Sequence, residues 1–341
     1  MSGQAGARAG FPAAKNGMVE FAVTAACLAA AVAVCAMIGG SYYTYIVNIV
    51  LLAAIGALGL NLLMGTAGQV SIGNAAFLTV GAFTTVWCER SGIPFPFDLG
   101  VSMLVCGAFG VLVGLPALRI KGIYLILATM AAHFVALFAA EKYQFAAVGS
   151  AGFIVDPVIR GNLVYTQRTW SLVLLGFAVA VALVCTWLQH GRSGRAWRII
   201  RDREDAAPAM GIPVARYKLM AFVISSAIIG LQGSLFAHFS GNVSSESFTL
   251  HTAIAALAMI LIGGLGSVAG SVIGAAIVTT LPYVTPPLVE TIIGSAQANQ
   301  HAARISLMLY GALIILFIGY AREGVRGWIV ALWRMARGAP R

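Results

Sequence analysis

Long uncharged, apolar stretches alternate along the chain with short stretches that carry most of its charge. Residues 21–88 form the longest such stretch, with no Asp, Glu, Lys or Arg in 68 residues. A membrane-spanning helix needs roughly 20 apolar residues, so this stretch alone has room for three. Read in this way, the chain predicts ten membrane segments, at about 20–39, 44–64, 67–88, 97–118, 122–140, 169–189, 219–240, 252–264, 268–283 and 304–321.

The predicted fold class is therefore all-α, a polytopic helical membrane protein with about 8–10 transmembrane segments. Composition agrees, because 60% of the residues are hydrophobic and only 9% are charged, whereas a soluble domain is about 25% charged. The alternating pattern of a lipid-facing β-barrel does not occur. The segments at 252–264 and 268–283 are short and rich in glycine, so we expect either half-spans or a hairpin broken between them.

The basic residues are concentrated in alternate connecting segments. If the N-terminus lies inside, the inner segments hold 16 of the 21 Lys and Arg residues and the outer segments hold five. The positive-inside rule then predicts that both termini and the 190–218 loop face the cytoplasm. The predicted domains are a cytoplasmic tail (1–18), a transmembrane domain (19–321) with outer loops at 141–168 and 284–303, and a basic cytoplasmic tail (322–341).

The net charge of +10 could attract nucleic acid. Because the basic residues lie in loops between membrane segments, we expect a lipid bilayer as the partner of this chain and no nucleic acid. The first apolar run precedes another span, so we interpret it as an uncleaved helix. The five cysteines lie in or at the ends of apolar runs without a C-x-x-C pair, so we expect no metal site and no disulfide.

The loop at 190–218 is the most highly charged part of the chain, with seven basic and three acidic residues. Three arginines at a spacing of three predict a helix with a basic face. The acidic residues that follow suit the first turn of a second short helix, which would end at a glycine. Such a helix can enter a groove of a soluble protein; a basic loop that only sets topology is the alternative. The candidate coupling residues are Arg195, Arg198, Arg201, Asp202, Glu204, Asp205, Ala206, Ala207 and Gly211.

The stretch 59–81 is apolar overall, yet it holds five glycines and several uncharged polar side chains. Glycine allows a membrane helix to break, and freed polar groups are tolerated where they line a cavity. Hydrogen bonding between packed helices is the alternative role. The candidate path residues are Asn61, Gln69, Ser71, Asn74 and Thr79, with His133 in the middle of the fifth segment. The predicted helix breaks are Gly65, Gly68, Gly73, Gly263, Gly264 and Gly266.

No enzyme signature occurs in the sequence. Without a G-x-x-x-x-G-K-[ST] motif the chain does not hydrolyse nucleotide by that route, and H-E-x-x-H and G-x-S-x-G are also absent. Charge within the membrane segments is sparse, which argues against an ion-coupled carrier and for an external energy source. A self-sufficient carrier or channel, and a scaffold that transports nothing, remain the competing functions.

Four stretches (59–83, 117–130, 194–226 and 241–275) together resemble the branched-chain amino-acid ABC-transporter permease family. The sequence differs from the usual pattern at Asn74, where the family often has His, at Ser245, where it often has Pro, and at Pro208, which replaces a residue that is usually not proline. The resemblance implies the ABC-importer permease fold in the bacterial cytoplasmic (inner) membrane.

The same resemblance implies the partners. They are a second homologous permease, two cytoplasmic ATP-binding subunits and an extracytoplasmic solute-binding protein, with ATP bound on the partner subunits and no cofactor in this chain. ATP binding and hydrolysis would move the segment 194–211 while the permease pair alternates access. The implied solute is a branched-chain or other amino acid, with urea, amides or aromatic acids as alternatives.

Overall fold

The computed structural model describes residues 41–118, 122–155 and 167–293, with the single positions 308, 311 and 312. Helices dominate these residues, which confirms the all-α class, and six stretches are long and apolar enough to cross a membrane. The predicted segments at 20–39 and, apart from those single positions, 304–321 lie outside the described residues. The helices are α1 (Ser41–Asn61), α2 (Asn74–Arg90), α3 (Phe97–Ala117), α4 (Ile123–Val148), α5 (Gln167–His190), α6 (Arg192–Asp202), α7 (Val214–Ser240), α8 (Leu250–Gly263) and α9 (Val268–Ile293).

Helix α1 passes into a π-helical turn, Leu62–Thr66, and the next helix begins only at Asn74. The prediction of a membrane helix from residue 67 is therefore wrong for its first seven residues. Gly68 adopts φ +71, a conformation that glycine reaches without strain, and this ends helical hydrogen bonding. The amide of Gln69 donates instead to the Leu63 carbonyl, at 3.1 Å. An irregular segment thus lies between α1 and α2.

Three helices extend beyond the uncharged segments that the sequence predicts for them. Helix α4 continues eight residues beyond the predicted end at 140, α7 begins five residues before 219, and α9 runs to Ile293. The first parts of the predicted outer loops 141–168 and 284–303 are therefore helical. Counting uncharged residues finds the apolar part of a helix, whereas backbone hydrogen bonding continues past it: Glu141 and Lys142 are exposed on the last turns of α4.

Close helix packing depends on small residues. A Cβ at Gly81 in α2 would collide with the Gly230 carbonyl in α7, so these helices touch through their backbones. The Ser102 hydroxyl of α3 lies 3.1 Å from the carbonyl oxygens of both glycines and joins the three helices. Helix α1 packs on α5, α7, α8 and α9.

Helices α8 and α9 form an antiparallel hairpin around the glycine-rich turn at 264–267. A Cβ at Gly263 would collide with the Gly270 carbonyl, and the reverse also holds, so the two helices meet closely. The described residues form a hairpin broken at this turn, in which Ser245–Gly263 is long and apolar enough to cross a membrane and the apolar part of α9, Val268–Val284, is shorter. At the opposite end, strands β1 (Phe153–Ile154) and β2 (Asn242–Val243) pair antiparallel and join the segments that follow α4 and α7.

Candidate functional site

Helix α6 lies in the highly charged loop and presents two different faces. Gly194, Ala196, Trp197 and Ile200 are buried, whereas Arg195 is exposed. The fully buried Trp197 donates a hydrogen bond from Nε1 to the Tyr217 carbonyl in the first turn of α7, at 2.8 Å. The predicted basic helix is therefore present, and an indole fixes it to a helix long enough to cross a membrane.

The second short helix expected after Asp202 does not form. Residues 203–207 make a turn that leads to one 3₁₀ turn, Pro208–Met210, which Gly211 ends with φ +75. Proline has no N–H to continue a helix and is suited to the first position of such a turn, where Pro208 lies. The Glu204 carboxylate pairs with Lys218 Nζ at 2.7 Å, which holds the turn against α7.

The surface of this turn combines a buried alanine with an exposed methionine. Ala207 is buried, whereas Met210 at the end of the turn is 67% exposed. The acidic side chain of Asp205 and the basic side chain of Arg203 are also exposed. An exposed apolar side chain on a surface that also carries exposed charges is a common composition for a protein contact.

Arg201 connects α6 to the break after α1. Its Nη1 donates a hydrogen bond to the carbonyl of Gly65, in the π-helical turn. A Cβ at Gly68 would meet the methylene groups of the same arginine. The arginine can approach so closely because the facing backbone carries no side chain at Gly68.

Asn61 connects the same break to the turn between α8 and α9. Its amide Nδ2 donates to the Ser267 carbonyl, and its Oδ1 accepts from the Gly266 amide, each at 2.8 Å. A Cβ at Gly65 would collide with the backbone of Gly266. Two glycine-rich breaks that are distant in sequence thus lie in direct contact. We call Asn61, Gly65, Arg201, Gly266 and Ser267 the glycine junction.

The predicted helix breaks have definite positions around this junction. Gly68, Gly264 and Gly266 take positive φ of 71°, 106° and 82°, where residues other than glycine are strained. Gly73 directly precedes α2, and Gly263 is the last residue of α8.

Four of the six candidate path residues use their polar groups within the protein. Besides Asn61, the Gln69 amide donates to the Lys218 carbonyl at 3.0 Å. Ser71 Oγ accepts from the Gly73 amide at 3.2 Å, and Thr79 Oγ1 donates to the Ala75 carbonyl at 2.7 Å. Structural hydrogen bonding, the alternative role, therefore describes what these four side chains do.

Asn74 and His133 differ from the other four. Asn74 Oδ1 and both ring nitrogens of His133 are buried and have no hydrogen-bond partner among the described residues. Asn74 begins α2, and His133 lies in α4, which packs against α2. There the Ile72 amide donates to Thr129 Oγ1 at 3.3 Å, and His133 follows one helical turn after Thr129.

Sequence reasoning missed a buried ionisable pair. Asp98, in the first turn of α3, and His238, near the end of α7, are 2% and 6% exposed and share a hydrogen bond between Oδ2 and Nε2. Ser234 Oγ also donates to Asp98 Oδ2, at 3.4 Å. Asp98 lies just before an uncharged run, and His238 lies within one, where a search for Asp, Glu, Lys and Arg does not find it. Treating a histidine in an apolar run as ionisable would have found half of the pair.

In the described ranges no group of three or more His, Cys, Asp or Glu residues could hold a metal ion. The described cysteines Cys88, Cys106 and Cys185 are buried free thiols.

Comparison with known proteins gives matches over most of the chain. A family model described as branched-chain amino acid transport system / permease component matches residues 42–318. The chain is 28% identical over 300 residues to the high-affinity branched-chain amino acid transport system permease protein LivM of Escherichia coli (strain K12), covering 79% of this chain and 66% of that protein. No solved structure matches.

More distant matches widen the set of named solutes. The chain is 25% identical over 240 residues to the probable branched-chain amino acid transport permease protein LivM of Methanocaldococcus jannaschii, covering 66% of this chain and 67% of that one. It is 22% identical over 232 residues to the fructose import permease protein FruG of Bifidobacterium longum, and the match covers 64% of this chain and 67% of that protein. This chain spans about two thirds of the length of these relatives.

Proposed function

Since this chain belongs to the branched-chain amino acid transport system permease family, we propose that it is the membrane-spanning permease subunit of an ABC importer. It forms half of the translocation path for a small solute, and separate ATPase subunits supply the energy. The observation that carries the proposal is the hydrogen bond from Arg201, on the charged helix α6, to Gly65, in the break after α1.

Several contacts join helix α6 to the transmembrane helices, so that they move together. The buried indole of Trp197 and the Glu204–Lys218 ion pair hold it and its turn on the start of α7. Arg201 then links it to Gly65. A displacement of α6 therefore reaches the broken ends of α1 and α8–α9 through packed groups, as mechanical coupling between distant sites requires.

The two cytoplasmic ATP-binding subunits would contact α6 and the turn ending at Gly211. Met210 supplies an exposed apolar anchor there, and the surrounding charged residues supply a polar rim. One ATP-binding subunit contacts this chain, and the second contacts a homologous permease that completes the path. ATP is bound by those subunits, and this chain carries no cofactor.

The membrane arrangement follows from the charge pattern. Six candidate membrane helices among the described residues make the chain a multi-pass membrane protein, and we assign it to the bacterial cytoplasmic (inner) membrane with both termini in the cytoplasm. Helix α6 and the glycine junction then lie on the cytoplasmic side. The β1–β2 pair lies on the opposite side, where an extracytoplasmic solute-binding protein would dock.

The solute is a branched-chain amino acid or another small amino acid. Support comes from the relatives named for branched-chain amino acid transport, which match more of this chain than the relative named for fructose import. Urea, amides, aromatic acids and sugars are the alternatives within the same mechanism.

A self-sufficient carrier is the second candidate function. The observation in its favour is the buried Asp98–His238 pair, because an ionisable group within a membrane is a default candidate for a proton or ion path. It predicts transport by the purified chain alone, driven by an ion gradient and without ATP.

Affinity purification from gently solubilised native membranes tests the proposal. We expect this chain to bring with it a second permease and an ATP-binding protein with a P-loop motif, and the reconstituted complex to import leucine only with ATP. Recovery of the chain alone, with transport driven by an ion gradient in liposomes, would establish the carrier instead.

A further inference from the structure

Asn74 and His133 are the polar side chains of the α2–α4 interface that the protein leaves unsatisfied. Asn74 is 3% exposed and His133 is fully buried, yet Asn74 Oδ1 and both imidazole nitrogens have no partner among the described residues. Neighbouring polar groups in the same interface are paired, as the bond between the Ile72 amide and Thr129 shows. Because an unpaired buried polar group is destabilising, each such group in a native protein calls for an explanation, and a bound ligand is one.

The two residues belong to one region of the fold. Asn74 is the first residue of α2, and a Cβ on the preceding Gly73 would touch Thr129 of α4. His133 lies four residues after Thr129, one turn further along the same face of α4. Both therefore border the place where the irregular segment after α1 meets α4. Irregular backbone at membrane depth is tolerated where it is buried in protein or lines an aqueous cavity.

The side chains around Asn74 and His133 indicate which class of ligand would bind there. Neither residues 21–88 nor residues 122–140 contain Asp, Glu, Lys or Arg, so no fixed charge lies on these parts of α2 and α4. The amide of Asn74 and a neutral imidazole at His133 each offer one kind of group that donates and one that accepts. A ligand that satisfies them carries both donors and acceptors and needs no fixed counter-charge.

We propose that Asn74 and His133 contact the transported solute directly, and that this solute is a small molecule of no net charge bearing both hydrogen-bond donors and acceptors. The assignment rests on the proposed permease function and deepens it. It gives these two side chains a different role from the other candidate path residues, which form hydrogen bonds within the protein: Asn61, Gln69, Ser71 and Thr79.

The first test measures access of water to the two positions and does not depend on the identity of the solute. Asn74→Cys and His133→Cys are made separately in the assembled transporter and treated with a charged, membrane-impermeant methanethiosulfonate reagent during ATP turnover. Mass spectrometry measures the modification of each cysteine. The matched controls are Ala82→Cys in α2 and Ala140→Cys in α4, which lie two helical turns or nearly so further on, in an apolar cluster.

We expect cysteines at 74 and 133 to react about tenfold faster than those at 82 and 140, because a hydrated thiol ionises and a thiol in apolar surroundings does not. The native, fully buried Cys106 gives the baseline within each sample. Reaction at positions 74 and 133 no faster than at the control positions would overturn the assignment.

The second test measures uptake of radiolabelled leucine. Asn74→Ala and His133→Ala are expected to raise the KM of uptake about tenfold each, the loss expected when a solute group is left without its partner. Thr84→Val is the control, since that hydroxyl donates within α2 to the Val80 carbonyl. An unchanged KM in both alanine variants would contradict direct contact. Wild-type protein that carries no leucine would count against an amino-acid solute, and the cysteine test would still decide the contact pair.

Discussion

The Arg201 side chain donates a hydrogen bond to the Gly65 carbonyl, which lies 136 residues earlier in the chain. The π-helical turn and the positive φ of Gly68 interrupt the helical ladder here, and the guanidinium is a strong donor for a carbonyl at such a break. A charged surface helix is thereby joined to the interrupted end of a membrane helix. Substitution of Arg201 therefore tests whether this link carries the coupling.

Replacing Arg201 with Gln should uncouple transport without preventing assembly. The shorter side chain no longer reaches Gly65, so movement of α6 is not passed on to the glycine junction. We expect ATP-driven uptake to fall about tenfold or more, in the range of typical coupling free energies between sites. Uptake by reconstituted complexes, with the amount of co-purified ATP-binding subunit, is the measurement.

Arg216→Gln serves as the matched control for this experiment. Arg216 is exposed in the first turn of α7 and is not among the residues proposed to couple this chain to an ATPase. If both variants lose uptake equally, general loss of positive charge explains the effect and the specific link to Gly65 does not.

Gly65→Ala should destabilise the folded protein. The new methyl group would collide with the Gly266 backbone and the Asn61 side chain, and neither can move without breaking their mutual hydrogen bonds. Overpacking of this kind costs about 1–3 kcal/mol. Gly176→Ala in α5, where a Cβ meets nothing within 4 Å, is the control and should melt at or above the wild-type temperature in detergent. Equal melting temperatures for the two variants would show that the close approach of the two breaks is unnecessary.

Trp197→Ala should release α6 from the protein surface. It removes a fully buried indole and the hydrogen bond to the Tyr217 carbonyl, a change that typically costs about 3–5 kcal/mol. Limited proteolysis should then cut within 190–218 much faster than in wild type. Trp197→Phe keeps most of the apolar surface and should show intermediate cleavage. Resistance of the alanine variant equal to wild type would mean that other contacts hold α6.

Asp98→Asn should lower the stability of the α3–α7 contact. Changing one partner of a buried hydrogen-bonded pair is destabilising by about 1–3 kcal/mol, because the remaining buried group loses its hydrogen-bond partner. Replacing both partners, as Asp98→Leu with His238→Leu, should restore much of the loss. Thermal unfolding of the three proteins in detergent checks this. A double variant less stable than Asp98→Asn would show that the two residues act independently.

Helix positions could be predicted where hydrophobicity alone decides them. Helices α3 and α5 closely match the predicted segments at 97–118 and 169–189, since charged residues lie close to their ends. The start of α7 could not be found in this way. Its first turn carries Arg216 and Lys218, and the tertiary contacts of Trp197 and Glu204 stabilise it there.

The roles of individual polar residues could be predicted less well. The sequence pattern places Asn61, Asn74 and Thr79 in one group of polar residues within apolar runs. This pattern does not show which hydrogen-bond partner each side chain has. The partners that distinguish them come from distant parts of the chain, as with Asn61 and Ser267, 206 residues apart. The Asp98–His238 contact spans 140 residues and is invisible to local patterns for the same reason.

Met210 offers the most direct test of the central claim that the segment from α6 to Gly211 receives the motion of an ATPase. Its side chain is 67% exposed, so Met210→Glu should leave the fold intact while placing a charge at the centre of the proposed contact. The measurement is the amount of ATP-binding subunit co-purified with Met210→Glu and with the apolar control Met210→Leu, together with ATP-driven uptake. The account predicts loss of both from the glutamate variant and retention of both by the leucine variant. Full binding and uptake by the glutamate variant would contradict it.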